Sequence, residues 1–411
     1  MNRNNKPRLF YGHIIVAASF AIQWICVGTM FTYGIFFKHL ANEFGWSRAT
    51  ISGASSLAFV FGGLIGIIAG RLNDRFGPKI IIAVSGISLG LGYLLMSQLQ
   101  APWHLYLFYG IIVGIGFSGH DVVTLSTIAR WFVRRRGLMT GITKVGTGAG
   151  QLIMPLIASM LIAGFGWRTS YVIIGWAVII LYIILSQFMR RDPQQMGLLP
   201  DGETDASIWA SESTEQGLSL GEAIRTRQFW TICLAYFTVI YCLLTVIIHI
   251  VPHATDMGIA ETKAAGILSV IGAVSMAGRM VIGTASDKIG GKRTMTICFF
   301  ILTACTLWLQ IASEMWMLYL FAVVYGFAHG GFYTLISPLI AHQFGTKAHG
   351  VIFSIVYFAG TVGGAIGPLL AGYIFDINQS YQPAFWILTG LSLTGLSVIS
   401  TLKPLAIKRS G

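Results

Sequence analysis

Apolar stretches of about 20 residues, each long enough to carry a helix across the hydrocarbon layer of a bilayer, recur along the whole of this 411-residue chain. They fall roughly at 13–37, 51–70, 79–99, 104–129, 138–163, 168–188, 229–252, 264–285, 294–312, 316–341, 350–373 and 383–402. A backbone in lipid must satisfy its own polar groups, so runs of this length read as helices. The fold class expected is an all-α polytopic membrane protein with about twelve transmembrane helices. A composition of 55% hydrophobic and 10% charged residues excludes a soluble domain. The first run is long and carries Gln23, Trp24 and Tyr33, with no small-residue cleavage site after it, so it reads as a span and not a removable leader.

Charge placement gives the orientation. With the N-terminus in the cytoplasm, 21 of the 27 lysines and arginines fall in cytoplasmic segments, among them Arg3, Lys6, Arg8, Arg130, Arg134, Arg135, Arg136, Lys408 and Arg409. Lys38, Arg48, Arg168 and Lys263 fall outside, and Lys144 and Arg279 lie within spans. Both termini are therefore expected in the cytoplasm. The net charge of +12 follows from topology and requires no nucleic-acid partner. Cys26, Cys233, Cys242, Cys298 and Cys305 lie in apolar runs without metal or disulfide spacing and read as small, reduced core residues.

The one long polar segment, 190–228, carries Asp201, Glu203, Asp205, Glu212 and Glu215 and reads as a cytoplasmic linker between six-helix halves at 1–189 and 229–411. Within it, Leu218 to Ala223 can form a short surface helix. The halves repeat. Gly70-Arg71-Leu72-Asn73-Asp74-Arg75-Phe76-Gly77 is echoed by Gly283-Thr284-Ala285-Ser286-Asp287-Lys288-Ile289-Gly290. The aspartates are 213 positions apart, as are Gly137 and Gly350, and Pro155 and Pro368.

These two loops resemble the signature loop of the major facilitator superfamily. The resemblance implies two pseudo-symmetric halves that rock about a site near the bilayer midplane, with Asp74, Arg75, Asp287 and Lys288 as gating residues. Smaller pieces resemble the monocarboxylate transporter and oxalate–formate antiporter branch: Arg130-Trp131-Phe132 with Arg134-Arg135-Arg136-Gly137, Gly146-x-Gly148-x-Gly150, Thr226-Arg227-Gln228-Phe229-Trp230 and Ala277-Gly278-Arg279. In that branch an arginine on the eighth span holds the substrate carboxylate, and Arg279 matches it. The chain departs from the animal-type members at two positions, with Ser275 where they carry an acid and Phe31 where they carry a lysine. The second cation of the oxalate antiporters also has no counterpart around Val356 and Tyr357.

The residues themselves point to an anion. Fixed charges in a membrane are costly and mark substrate or ion pathways, and Lys144 and Arg279 share their depth with one acid, Asp121. A guanidinium presents a planar fork that matches a carboxylate; the alternative is a structural arginine bonded to a backbone carbonyl or a neighbouring helix. If Asp121 neutralises Lys144, one positive charge remains for a monoanion; if not, two cations await a dianion. Candidate substrate residues are Arg279, Lys144, Tyr33, Tyr333 and Tyr357, and candidate proton carriers are Asp121, His120 and His329, with His249 and His253 behind them.

The reading that follows is a secondary transporter of small monocarboxylates of the lactate or pyruvate type, proton-coupled. A small-dicarboxylate antiporter is the alternative, and an anion-sensing membrane receptor the more distant one. No nucleophile triad, metal cluster or nucleotide loop marks an enzyme, and no cofactor is expected. The partners expected are the carboxylate, a proton or exchanged anion and the lipid bilayer, for a monomer in a bacterial inner membrane.

Overall fold

The computed structural model describes residues 10–203 and 217–405. Arg3, Lys6, Arg8, Lys408, Arg409, Asp205, Glu212 and Glu215 lie outside the described residues. Every long element among the described residues is a helix: α1 (Tyr11–Phe44), α2 (Arg48–Phe76), α3 (Pro78–Met96) and α4 (Pro102–Trp131), then the continuous run Arg136–Phe188. That run has 53 residues, roughly 80 Å at 1.5 Å per residue, which is too long for a single crossing. It is parted at Gly166, whose φ of 74° and ψ of 162° are non-helical, into α5 (136–165) and α6 (167–188). The second half follows as α7 (Arg227–Asp256), α8 (Glu261–Ile289), α9 (Gly291–Leu309), α10 (Met315–Phe344), α11 (His349–Asn378) and α12 (Gln382–Ser400). Among the described residues eleven apolar helices thus make twelve crossings: the expected loop between the fifth and sixth spans is compressed into one glycine.

Local chemistry sets the boundaries. Ser47 caps α2 by accepting from the Thr50 amide at 3.1 Å, and Thr226 caps α7 by accepting from Phe229 at 3.2 Å. Gly45, at φ 64°, closes α1, and Pro78 opens α3. The short helix Leu220–Ala223 exists and carries a reciprocal capping box between Ser219 and Glu222. The Ser219 hydroxyl and amide hold the Glu222 carboxyl below its ordinary range.

Each helix divides its faces. On α3, Ile80, Val84, Ile87 and Leu91 form an exposed apolar stripe, while Ile82, Leu89 and Tyr93 are buried. An exposed apolar stripe of this kind suits lipid. Each half has its own core, one around Phe36, Tyr93, Tyr171 and Tyr182 and the other around Tyr236, Phe299, Tyr325 and Phe332. All five cysteines are buried and free. In the linker, Asp201 accepts from the amides of Val133 and Arg134, both at 2.9 Å, while Leu218 donates to the Phe344 carbonyl at 2.9 Å.

Glycines set the closest helix crossings, and they do so twice over. A Cβ on Gly150 would lie 2.3 Å from the Trp24 carbonyl, and one on Gly363 would lie 2.4 Å from the Phe237 carbonyl. Both members of this pair of contacts are 213 positions apart, so α1 crosses α5 as α7 crosses α11. Gly363→Leu is expected to destabilise the protein by roughly 1–3 kcal/mol through overpacking. Gly390→Leu, where a Cβ meets nothing within 4 Å, is the near-neutral control. Thermal unfolding of both purified variants in detergent checks the difference.

Candidate functional site

At the centre of the bundle, α5 sits against α1, α4 and α8, and its glycines assign the faces. Gly146 and Gly150 approach the Phe20 and Trp24 carbonyls of α1, whereas Gly137, Gly141 and Gly148 approach Gly283, Arg279 and Met276 of α8. Lys144 lies between these surfaces. Its ammonium donates to Asp121 Oδ1 at 2.7 Å, with both residues 3% exposed. Gln23, fully buried on α1, donates to the same oxygen at 2.8 Å and to Thr124 Oγ1 at 2.9 Å, and accepts from Thr147 at 3.0 Å. His120 Nε2 stands 3.5 Å from Asp121 Oδ2, while its Nδ1 pairs with the Phe117 carbonyl at 2.6 Å.

The second half supplies the other wall. Arg279, 3% exposed, donates Nη1 to the backbone carbonyl of Lys144 at 2.7 Å. This is the kind of contact a structural arginine makes. Its Nε, however, is buried without a hydrogen-bond partner, and Arg279 forms no ion pair among the described residues. The Tyr333 ring lies 5.5 Å from the Lys144 ammonium, a cation–π contact across the two halves. His329 packs edge-on against Tyr333 at 5.2 Å with its Nδ1 unpartnered. Tyr357 on α11 lies within electrostatic reach of the Asp121 carboxylate.

The structure therefore brings Arg279, Lys144, Asp121, His120, His329, Tyr333 and Tyr357 together and leaves three candidates elsewhere. Tyr33 is packed inside the first half, its hydroxyl donating to the Ile51 carbonyl at 2.7 Å and its ring 4.1 Å from Tyr109. His249 bonds the Tyr381 hydroxyl at 3.2 Å and the Pro368 carbonyl at 2.9 Å, and the His253 ring rests on Phe385. Ser275 bonds the Gly272 carbonyl of its own helix at 2.8 Å. A surface cleft of about 290 Å³ beside Gln98, Leu99 and Arg168 lies apart from this cluster.

The two signature loops meet the opposite halves. Asp74 accepts from the amides of Gly350 and Val351 at 3.0 and 2.9 Å, capping α11, and Asp287 accepts from Gly137 and Leu138 at 2.6 and 2.8 Å, capping α5. Each carboxylate thus sits at a helix N-terminus, where the helix dipole favours it. Below them the backbones touch, with Gly70 against the Gly350 carbonyl and Gly137 against that of Gly283. The partner of Asp74 is Arg130, at 2.7 Å, and not Arg75. Arg75 is exposed, with its guanidinium 5.1 Å over the Phe76 ring, and Lys288 is likewise exposed. The position equivalent to Arg130 is Gln343, so the second cap has no matching arginine.

The Major Facilitator Superfamily model matches residues 19–309 and 254–409 of the chain. The chain belongs to the Major Facilitator Superfamily. Its curated relatives include monocarboxylate transporter 13 of Rattus norvegicus, 25% identical over 404 residues that cover 98% of this chain and 91% of the relative. Monocarboxylate transporter 11 of Homo sapiens is 26% identical over 94% of this chain and 81% of its own length. Among solved structures, the proton:xylose symporter XylE superposes with a TM-score of 0.74 at 13% identity, covering 96% of each chain. The fucose:proton symporter FucP of E. coli gives 0.73 at 14% identity, covering 97% of this chain and all of that one. These likenesses establish the fold. As a member of this superfamily the chain is a polytopic membrane transporter and not an enzyme.

The sequence marks Gln23 only as a polar residue of the first span, and neither its bond to Asp121 nor the partner role of Arg130 was expected. Gln23 had a usable signal, an amide at the depth of Asp121 in an otherwise apolar run. Asp121→Asn is expected to cost about 3–5 kcal/mol by leaving the Lys144 charge buried and uncompensated. The double variant Asp121→Leu/Lys144→Met should recover most of that loss, and thermal unfolding of the three proteins in detergent checks the order.

Proposed function

We propose that this transporter carries small monocarboxylates of the lactate or pyruvate type, together with a proton, by alternating access. Arg279 receives the carboxylate. Lys144, Tyr333 and Tyr357 line the rest of the site, and Asp121, with His120 beside it, takes the proton. The observation that carries this reading is the 2.7 Å Lys144–Asp121 pair: it cancels one of the two intramembrane cations and leaves Arg279 without a carboxylate partner among the described residues. One uncompensated positive charge suits a monoanion, whereas a dianion would need Lys144 free. The names of the curated relatives, matched along 98% of the chain in one case, support the same substrate class.

In this proposal protonation of Asp121 loosens its hold on Lys144, and so couples proton entry to the wall against which Arg279 is braced. The halves 1–189 and 229–411 rock about the 190–228 linker, and the Asp74 and Asp287 caps are made and broken at the cytoplasmic end. The protein works as a monomer in a bacterial inner membrane with both termini cytoplasmic, the orientation supported by its distribution of basic residues.

Arg279→Lys is the test. It keeps the charge but loses the planar fork, and is expected to lower uptake of labelled L-lactate into proteoliposomes by at least about tenfold, one charge-assisted hydrogen bond's worth. Near-normal uptake by that variant would remove Arg279 from the site.

A further inference from the structure

Among the described residues, two buried polar atoms on neighbouring helices lack partners, Arg279 Nε on α8 and His329 Nδ1 on α10. The two helices that carry them are locked at backbone distance beside the pair, at Gly278 next to Arg279 and at Gly330 next to His329. A Cβ on Gly278 would lie 2.3 Å from the Phe327 carbonyl, and one on Gly330 would lie 2.0 Å from that of Ser275. The His329 ring is held between Tyr325, 5.7 Å away, and Tyr333, 5.2 Å away, and it lies within electrostatic reach of the Arg279 guanidinium. Unsatisfied polar atoms in a buried site are costly, and a rigid pair of them can read two neighbouring polar groups on one ligand.

We infer that His329 is a specificity residue: its Nδ1 hydrogen-bonds an oxygen on the carbon next to the carboxylate held by Arg279, so that the site selects 2-hydroxy or 2-oxo monocarboxylates over simple alkanoates. This rests on the monocarboxylate reading above and assigns His329 to recognition instead of proton transfer. As an Nδ1–H donor the ring serves a hydroxyl or a keto oxygen alike. As an acceptor it serves a hydroxyl alone, so the relative uptake of pyruvate reports the tautomer.

The test uses the purified full chain in proteoliposomes, with labelled L-lactate and labelled propionate, which has the same carboxylate and carbon count but no 2-hydroxyl. Wild-type protein is expected to prefer lactate by about tenfold, the worth of one well-made buried hydrogen bond. His329→Leu should bring lactate down to the propionate level while propionate uptake stays within about twofold, since no bond to it is lost. Equal uptake of the two acids by wild type, or an unchanged ratio in His329→Leu, overturns the assignment. If His329→Leu carries neither acid, His329→Gln decides: uptake with a retained lactate preference supports the assignment, and uptake without it, or none, refutes it. Wild-type protein that carries neither acid overturns the monocarboxylate reading itself, and this inference with it.

Discussion

The pairing of Lys144 with Asp121 is the interaction on which the centre of this molecule depends. Each charge alone would cost several kcal/mol to bury in a membrane protein, and both are 3% exposed. The pair is tolerable because its 2.7 Å contact is supplemented: Gln23 donates to the same carboxylate oxygen, and Tyr333 offers its ring to the ammonium. The backbone of the same lysine has a second task. Its carbonyl accepts from Arg279, so the ion pair of one half and the guanidinium of the other are joined through one residue. A change in the pair is therefore placed to alter the surroundings of Arg279.

Around that centre the two halves repeat their architecture and diverge in their chemistry. The backbone contacts between Gly70 and Gly350 and between Gly137 and Gly283 are equivalent under the 213-residue offset, and so are the helix caps made by Asp74 and Asp287. The residues of the central cluster obey the same register with different side chains. Lys144 corresponds to Tyr357, His120 to Tyr333 and Arg279 to Gly66. The scaffold is thus symmetric where helices must cross closely, and asymmetric where charge is placed. The caps share the asymmetry, since Arg130 reinforces Asp74 while the position equivalent to Arg130 under the offset is Gln343.

How much of this was legible in the sequence depended on the physics of each residue. The helices were, because a 20-residue apolar run has few alternatives in lipid; the break at Gly166 falls between the spans expected at 138–163 and 168–188, and only its shortness, a turn made by one glycine, was not legible. Lys144, Asp121 and Arg279 stood out because charge at that depth is expensive. Gln23 did not, because an uncharged amide in an apolar run is cheaper and commoner. Arg130 was hidden in a cluster of basic residues at a helix end, where any one of them could have paired with Asp74. Tyr33 pointed the wrong way for the opposite reason: buried tyrosines satisfy their hydroxyls in many places, and this one does so on the Ile51 carbonyl.

The central claim is that the Lys144–Asp121 pair leaves a site of one net positive charge. Calorimetric titration of the purified transporter with L-lactate, alone and in the presence of excess oxalate, tests it most directly. The account predicts lactate binding that oxalate does not displace. Oxalate binding as tight as lactate, with mutual competition, would mean that Lys144 is available to a second carboxylate, and would contradict it.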